Sequence, residues 1–173
     1  MSISSDKKKI SKLLDFYEQY LKTVNEETFL TSPQQGVWSY SEIYSHVLWV
    51  TASSLVAIEQ SLNKTSPIKS NSPDWRVRLI LFLGILPGNN LKVPEIAAAN
   101  VKKISKEEAL NKIFSIRKRL DTICGEFKKF DQNYKVKHPR LGWLDAKQWL
   151  RFIVVHTKHH IKQVSRLEKL IQA

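Results

Sequence analysis

The sequence predicts an all-α fold: an up-down four-helix bundle with a long crossover containing a short extra helix between helices 2 and 3. Three observations carry this expectation. Four long segments, at roughly 7–25, 40–62, 106–129 and 146–171, repeat their apolar residues at helical spacing. Only 5 Gly and 6 Pro occur in 173 residues, so little interrupts those segments. A chain of this length also suits one domain with its own core, so residues 1–173 are read as a single bundle with its core at about 7–171.

The first helix carries Ile10, Leu13, Leu14, Tyr17, Leu21 and Val24 as one stripe among lysines and glutamates. Ser39-Tyr-Ser-Glu42 opens the second as a capping box, with Ser39 covering an orphan amide and Glu42 reaching back. Its stripe continues through Ile43, Val47, Val50, Ala57 and Ile58. Ser105-Lys-Glu-Glu108 repeats the device before Leu110, Ile113, Phe114, Ile116, Leu120, Ile123 and Phe127. Asp145, with Gln148 three residues on, caps the fourth. Loops are marked at Thr31–Gly36, Ser70–Pro73, Pro87–Asn90 and His138–Gly142. The crossover, about 64–104, is too long for a simple connection. It carries the short apolar helix at roughly 74–86 and is expected to close one end of the bundle, where pockets are often built.

Lys and Arg outnumber Asp and Glu by 28 to 16, a formal charge of +12. That field attracts nucleic acid, anionic lipid or acidic metabolites. The positive residues are spread over all the helices, however, which reads as a solvated surface. No recognition helix, zinc finger or alternation of aromatic and basic residues is legible, so nucleic acid is not a favoured partner. The longest apolar run, Leu79 to Leu86, falls well short of the roughly 20 residues a bilayer requires, so no membrane insertion is expected. An apolar surface left on the 74–86 segment would instead support a homodimer. Residues Met1 to Lys9 are polar and lack a signal-peptide pattern. The lone Cys124 can form neither an internal disulfide nor a thiolate cluster; it reads as a small interior hydrophobe, and a cytoplasmic location is expected.

The chemistry concentrates in the last helix. With Lys147 set at zero, Lys147, Arg151, Lys158, Lys162, Arg166 and Lys169 fall within about 0–100° and mark a solvent face. His156 lies near 180° and His160 near 220°, stacked one turn apart on the buried face beside Trp149 and Leu167 at about 200°. His159, near 120°, belongs to the border. Two buried imidazoles repel if protonated and lack partners if neutral; a divalent ion with a borderline preference for nitrogen resolves both problems. A hydrogen-bonded pair is the alternative. His46, at the edge of the second helix's stripe, supplies a third nitrogen or is a satisfied interface histidine. Three histidines leave a coordination position open, as catalytic rather than closed structural sites do. Gln163, near 160°, orients an imidazole, touches substrate, or is a plain border residue. Glu42 lies one turn before His46 and has two readings, proton handling at the site and capping, of which capping fits its pattern better. His138 is a candidate for a pocket mouth, although loop histidines are usually surface residues. Trp38, Trp49, Trp75, Trp143 and Trp149 read as packing mass, with Trp75 or Trp143 able to floor a pocket.

Trp38-Ser39 leading into a helix with His46, the segment His138-Pro-Arg-Leu-Gly-Trp143, and Trp149 followed by His156-Thr-Lys-His-His160-Ile-Lys-Gln163 together carry a resemblance. The chain resembles, over roughly residues 10–170, the DinB-like superfamily of metal-binding four-helix bundles, near the YfiT-like metal-dependent hydrolases and a bacterial branch of unassigned function. The resemblance implies His46, His156 and His160 as ligands of one divalent metal, nickel or zinc first and iron next. It also implies a hydrolase, or a thiol S-transferase using a low-molecular-weight thiol such as bacillithiol, acting on a small-molecule substrate whose anionic character would suit the basic charge. Glu42 and Gln163 are the expected catalytic residues. The competing class is a non-enzymatic binding module whose basic surface serves nucleic acid or a protein partner.

Overall fold

In the computed structural model, which describes residues 2–86 and 101–172, each long helix begins at a side-chain cap. Ser2 accepts the Ser5 amide and starts α1 (Ile3–Thr23) earlier than the apolar stripe suggested. Asn25 caps a short α2 (Glu26–Leu30), which the periodicity did not reveal because it is little more than one turn. The reciprocal box of Ser39 and Glu42 starts α3 (Tyr40–Leu62). Asp74 caps α4 (Trp75–Leu83), the short crossover helix. Ser105 caps α5 (Lys106–Gly125), but here the box is half made: Ser105 accepts the Glu108 amide while the Glu108 carboxylate pairs with Lys112. A 3-10 turn (Glu126–Lys129) follows, so the helix ends before the expected boundary. Two short antiparallel strands, β1 (Val136–His138) and β2 (Gly142–Leu144), lead into α6 (Ala146–Gln172). Asp145 and Gln148 exchange backbone-to-side-chain bonds of 2.9 and 3.0 Å at its start.

The four long helices form an all-α, up-down four-helix bundle in which α1 packs on α6, α6 on α3, α3 on α5, and α5 back on α1. Cross-links between them fix their senses. Asp6 meets Arg151 and Tyr17 meets Thr157, so α1 and α6 run the same way. Lys7 meets Asp121 and Asp15 meets Arg117, so α5 opposes α1. Ser41 meets Ile104 and Glu59 meets Arg119, so α3 runs with α5 and against α6. Two helices run up and two down, in the chain order up, down, down, up. The length of the crossover follows from this order, because a connection between two parallel helices must return along the bundle. The loop expected at Pro87–Asn90 lies outside the described residues.

The core is built from Ile10, Leu14, Tyr17 and Leu21 of α1, Ile43, Val47, Leu55 and Ile58 of α3, Ile113, Ile116, Leu120 and Ile123 of α5, and Ile153, Val164 and Leu167 of α6. Two assignments on α5 need correction: Leu110 and Phe114 are exposed. The buried face passes through Ala109, Ile113, Ile116, Leu120 and Ile123, the set that keeps the helical period.

Arg151 also departs from the solvent face assigned to it. The helix wheel cannot register that α4 lies across this part of α6. Arg151 Nε donates to the Leu81 carbonyl at 2.7 Å, Nη2 to that of Phe82 at 3.3 Å, and Nη1 to Asp6 Oδ1 at 3.2 Å. The guanidinium thus covers carbonyls at the end of α4 and ties that helix to α1 and α6. Gly84 closes α4 in the left-handed region at φ 69°, and a Cβ there would meet Arg151 Nη2 at 3.0 Å. The outer side of α4 leaves Trp75 64% and Phe82 69% exposed, the side chains on which the expected self-association would have to rest.

Removing the guanidinium leaves the almost wholly buried Asp6 carboxylate with only the more distant Lys9 ammonium, at 4.0 Å, beside it. Arg151→Ala is therefore expected to lower unfolding free energy by about 3 kcal/mol in guanidinium denaturation. The double change Asp6→Asn with Arg151→Met should recover most of it. A loss under about 1 kcal/mol in the single variant would show that the pair does not hold α4 in place.

Candidate metal centre

The antiparallel packing of α3 on α6 brings His46 against His156 and His160. His46 sits in the second turn of α3, whose start is set by the Ser39–Glu42 box. His156 and His160 are successive rungs on the inner face of α6, each 8% exposed. His156 Nε2 lies 3.2 Å from His46 Nε2 and 3.2 Å from His160 Nε2. One ligand atom from each residue lies within 4.8 Å of the others. A tetrahedral ion with metal–nitrogen bonds near 2.05 Å holds its ligand atoms about 3.3 Å apart, so the His46–His156 and His156–His160 nitrogen pairs stand close to a ligand spacing already.

Proton accounting supports the same reading. His160 Nδ1 is 2.7 Å from Gln163 Oε1; a carbonyl oxygen only accepts, so Nδ1 carries the proton and Nε2 turns a lone pair to the cluster. His156 Nδ1 is buried with no hydrogen-bond partner. If His156 carries its proton on Nε2, one N–H is shared between two acceptors. If it does not, two lone pairs face each other at 3.2 Å. Extra protons are opposed by burial, which pushes His46 down to about 4 and His160 to about 3, and lowers His156 well below the usual imidazole range. The neighbouring imidazoles lower His156 further. Three neutral nitrogen donors aimed at one point are what a borderline divalent cation takes, and the cluster is consistent with a metal site.

Aromatic rings wall this centre. Trp38 stands 5.3 Å from His46, centroid to centroid, and Phe152 stands 5.3 Å from His156. Phe152 escaped the sequence reading although its signal was present: it lies one turn before His156 in the ladder Phe152, His156, His160. His138 is not plain surface. It is half-buried in β1, its ring 4.6 Å from Phe152, and its Nδ1 accepts the Arg140 and Leu141 amides at 3.1 Å each. That role requires neutral imidazole, and burial pushes its pKa down to about 4.

The remaining candidates separate cleanly. Gln163 is in contact with the cluster through His160. Glu42 Oε2 accepts from the Ser39 amide at 2.8 Å, Ser39 Oγ at 2.8 Å and Ser32 Oγ at 3.2 Å, and no hydrogen bond joins it to His46 among the described residues. His159, half-buried, lines a cavity of about 170 Å³ on the flank of α6 together with Gln163. Trp75 floors a larger groove, about 580 Å³, between the starts of α1 and α6 and α4, which shares no residue with the histidines. Trp143 carries the Lys69 ammonium 4.9 Å from its ring centre. Cys124 is half-buried, and burial raises its thiol pKa, away from reactivity.

The model of the DinB superfamily matches residues 11–164, and the chain belongs to that family. It is 23% identical over 152 residues to the uncharacterized protein YuaE of Bacillus subtilis (strain 168), covering 88% of this chain and 90% of YuaE. Among solved structures it is similar to TT2238, a four-helix bundle protein, with TM-score 0.62 and 17% identity over 95% of this chain and 99% of the other. It is also similar to YfiT from Bacillus subtilis, described as a probable metal-dependent hydrolase with an unusual four-helix bundle topology: TM-score 0.63, 12% identity, covering 99% of this chain and 90% of YfiT. At these identities the structural likeness establishes the fold. No helix among the described residues is long and apolar enough to cross a membrane.

All five histidines have lowered pKa values in the folded chain, so between about pH 6.5 and 4 the unfolded chain binds more protons. Stability of metal-free protein is therefore full above the unfolded value and lost as pH falls towards the folded values. In chelator, the thermal midpoint is expected to drop by roughly 5 °C or more from pH 7.5 to 5.5. A flat profile would mean the imidazoles are solvated.

Proposed function

We propose that this member of the DinB superfamily is a metal-dependent enzyme in which His46, His156 and His160 hold one divalent ion, nickel or zinc first and iron next. The observation that carries the reading is the approach of His46 Nε2 and His160 Nε2 to 3.2 Å from Nε2 of the buried His156. An ion bound by neutral ligands alone keeps its full charge and acts as a Lewis acid, lowering the pKa of a water or thiol that reaches it. The first outcome is hydrolysis; the second is S-transfer from a low-molecular-weight thiol such as bacillithiol.

The chain's own residues prepare that chemistry by holding the donors rigid. Gln163 fixes the tautomer and ring plane of His160. Glu42, as half of the capping box, fixes the start of α3 and thereby the reach of His46, a positioning role. Trp38 and Phe152 keep the ring faces apolar, which limits competing water and strengthens electrostatic interactions inside. The cluster contains no carboxylate among the described residues. With no protein base in the cluster, the proton of a nucleophile activated there would pass to solvent, an arrangement that would suit a thiol, already acidic, somewhat better than water. The alternative of a binding module with histidines as mere core residues leaves the close approach of the Nε2 atoms without a compensating interaction.

Untagged protein purified without added metal is expected to carry roughly one nickel, zinc or iron per chain by plasma mass spectrometry, in line with a three-nitrogen site. His156→Ala should lose it, and Gln163→Ala should weaken binding roughly 10- to 100-fold. Loaded protein is then assayed for thiol conjugation of an electrophile and for ester and amide hydrolysis. Absence of metal, even after supplying divalent ions, would sink the metalloenzyme reading.

A further inference from the structure

We propose that His138 is a positioning residue for the metal centre: anchored in the β1–β2 turn, its ring holds Phe152 against His156 and so sets the plane of that central imidazole. Its effect on ion binding rests on the proposed metal chemistry, whereas the ring contacts themselves require no ion. A metal-ligating histidine ordinarily donates its other ring N–H to a carboxylate, carbonyl or water, and that bond fixes its plane. His160 follows the pattern, since its Nδ1 is 2.7 Å from Gln163 Oε1. His156 departs from it: its Nδ1 is buried and has no hydrogen-bond partner among the described residues. Yet His156 is the imidazole that both others approach, to 3.2 Å. Its orientation therefore depends on the rings packed around it.

Phe152 packs on His156 from one turn earlier on the same face of α6, with centroids 5.3 Å apart and planes at 38°. A phenyl ring has no hydrogen bond to hold it, so it is only as fixed as its neighbours. Two of these are rings: Trp149 stands edge-on at 5.7 Å and 89°, and His138 at 4.6 Å and 68°. Both are tied to the backbone of the hairpin. Trp149 Nε1 donates to the Val136 carbonyl at 3.2 Å, and His138 Nδ1 accepts the Arg140 and Leu141 amides at 3.1 Å each. Bonds from two consecutive amides to one ring nitrogen leave the His138 side chain little rotational freedom. The hairpin thus carries a fixed ring to Phe152, and Phe152 passes that constraint to His156.

Titration of the full chain with cobalt(II) tests this, read by the dissociation constant and by the visible absorption of the bound ion, which reports ligand geometry. The His156 ring protons are followed by NMR in metal-free protein. His138→Asn keeps a carbonyl oxygen for the turn amides while removing the ring, so its thermal midpoint should stay close to that of the unaltered chain; His138→Ala loses both. In both variants cobalt affinity should fall roughly tenfold, as for residues that orient a ligand. The absorption bands should move and the His156 ring protons should shift. Phe152→Leu, which removes the intermediate ring, should reproduce these changes. The double variant His138→Asn with Phe152→Leu should bind no more weakly than Phe152→Leu alone. Lys137→Ala, at an exposed position of the same strand, should alter none of them. Unchanged cobalt affinity and spectrum in His138→Asn overturn the proposal, and effects that add in the double variant overturn it as well. Shifted His156 protons in a chain that binds no cobalt support the positioning role and sink the metal reading alone. Unshifted protons, with cobalt bound as in the unaltered chain, sink the positioning role alone.

Discussion

The structure depends on α6 being buried along the seam between α1 and α3. Its inner face supplies Trp149, Ile153, Val164 and Leu167 to the core, and in the same stripe it carries His156 and His160. Desolvating an imidazole inside an apolar seam costs free energy unless both ring nitrogens find partners. Among the described residues His160 has such a partner outside the cluster, Gln163, whereas His156 Nδ1 has none. The packing that makes the bundle cohere also crowds the Nε2 atoms together, and that crowding is what a cation is suited to relieve. Two long-range hydrogen bonds hold the seam in register, Tyr17 to the Thr157 carbonyl and Tyr44 to the Tyr17 carbonyl, while Trp149 donates to the Val136 carbonyl of β1.

The surrounding chain is strongly basic, and its handling of charge is uneven. Where α1, α5 and α3 meet, cations are matched: Arg117 to Asp15 and Glu18, Arg119 to Glu59, Lys7 to Asp121. Arg151 is sequestered beneath α4 and neutralised by Asp6. The outer flank of α6 is different, since Lys158 and Lys162 line a concavity with no acid among its described residues. Exposed pairs contribute little to stability, so this asymmetry matters little for folding.

The return of the chain along the bundle links fold to site. Because α5 keeps the sense of α3, the crossover must run past α6, and its first part does so as α4 and the Leu83–Leu86 segment. That segment walls the cationic cavity, and the end of α4 is fastened there through Arg151. A simple hairpin connection would have left this flank of α6 open.

Much of this was legible in the amino-acid sequence, for reasons local to each helix. The boundary at Ser39, the cap at Asp145 and the stacking of His156 on His160 follow from hydrogen-bond chemistry and the 3.6-residue period, which act within a few residues. Elements of about one turn, such as α2, and the brief β1–β2 hairpin leave too short a pattern to read. Periodicity also misplaced Leu110 and Phe114, and it put Arg151 in solvent, because a helix wheel records which residues share a face and not what lies over that face. The order up, down, down, up, the meeting of His46 with His156 and His160, and the turn-holding role of His138 were decided by tertiary packing alone. Each joins residues far apart in the chain, and only burial against a specific neighbour makes one pairing lower in free energy than its alternatives.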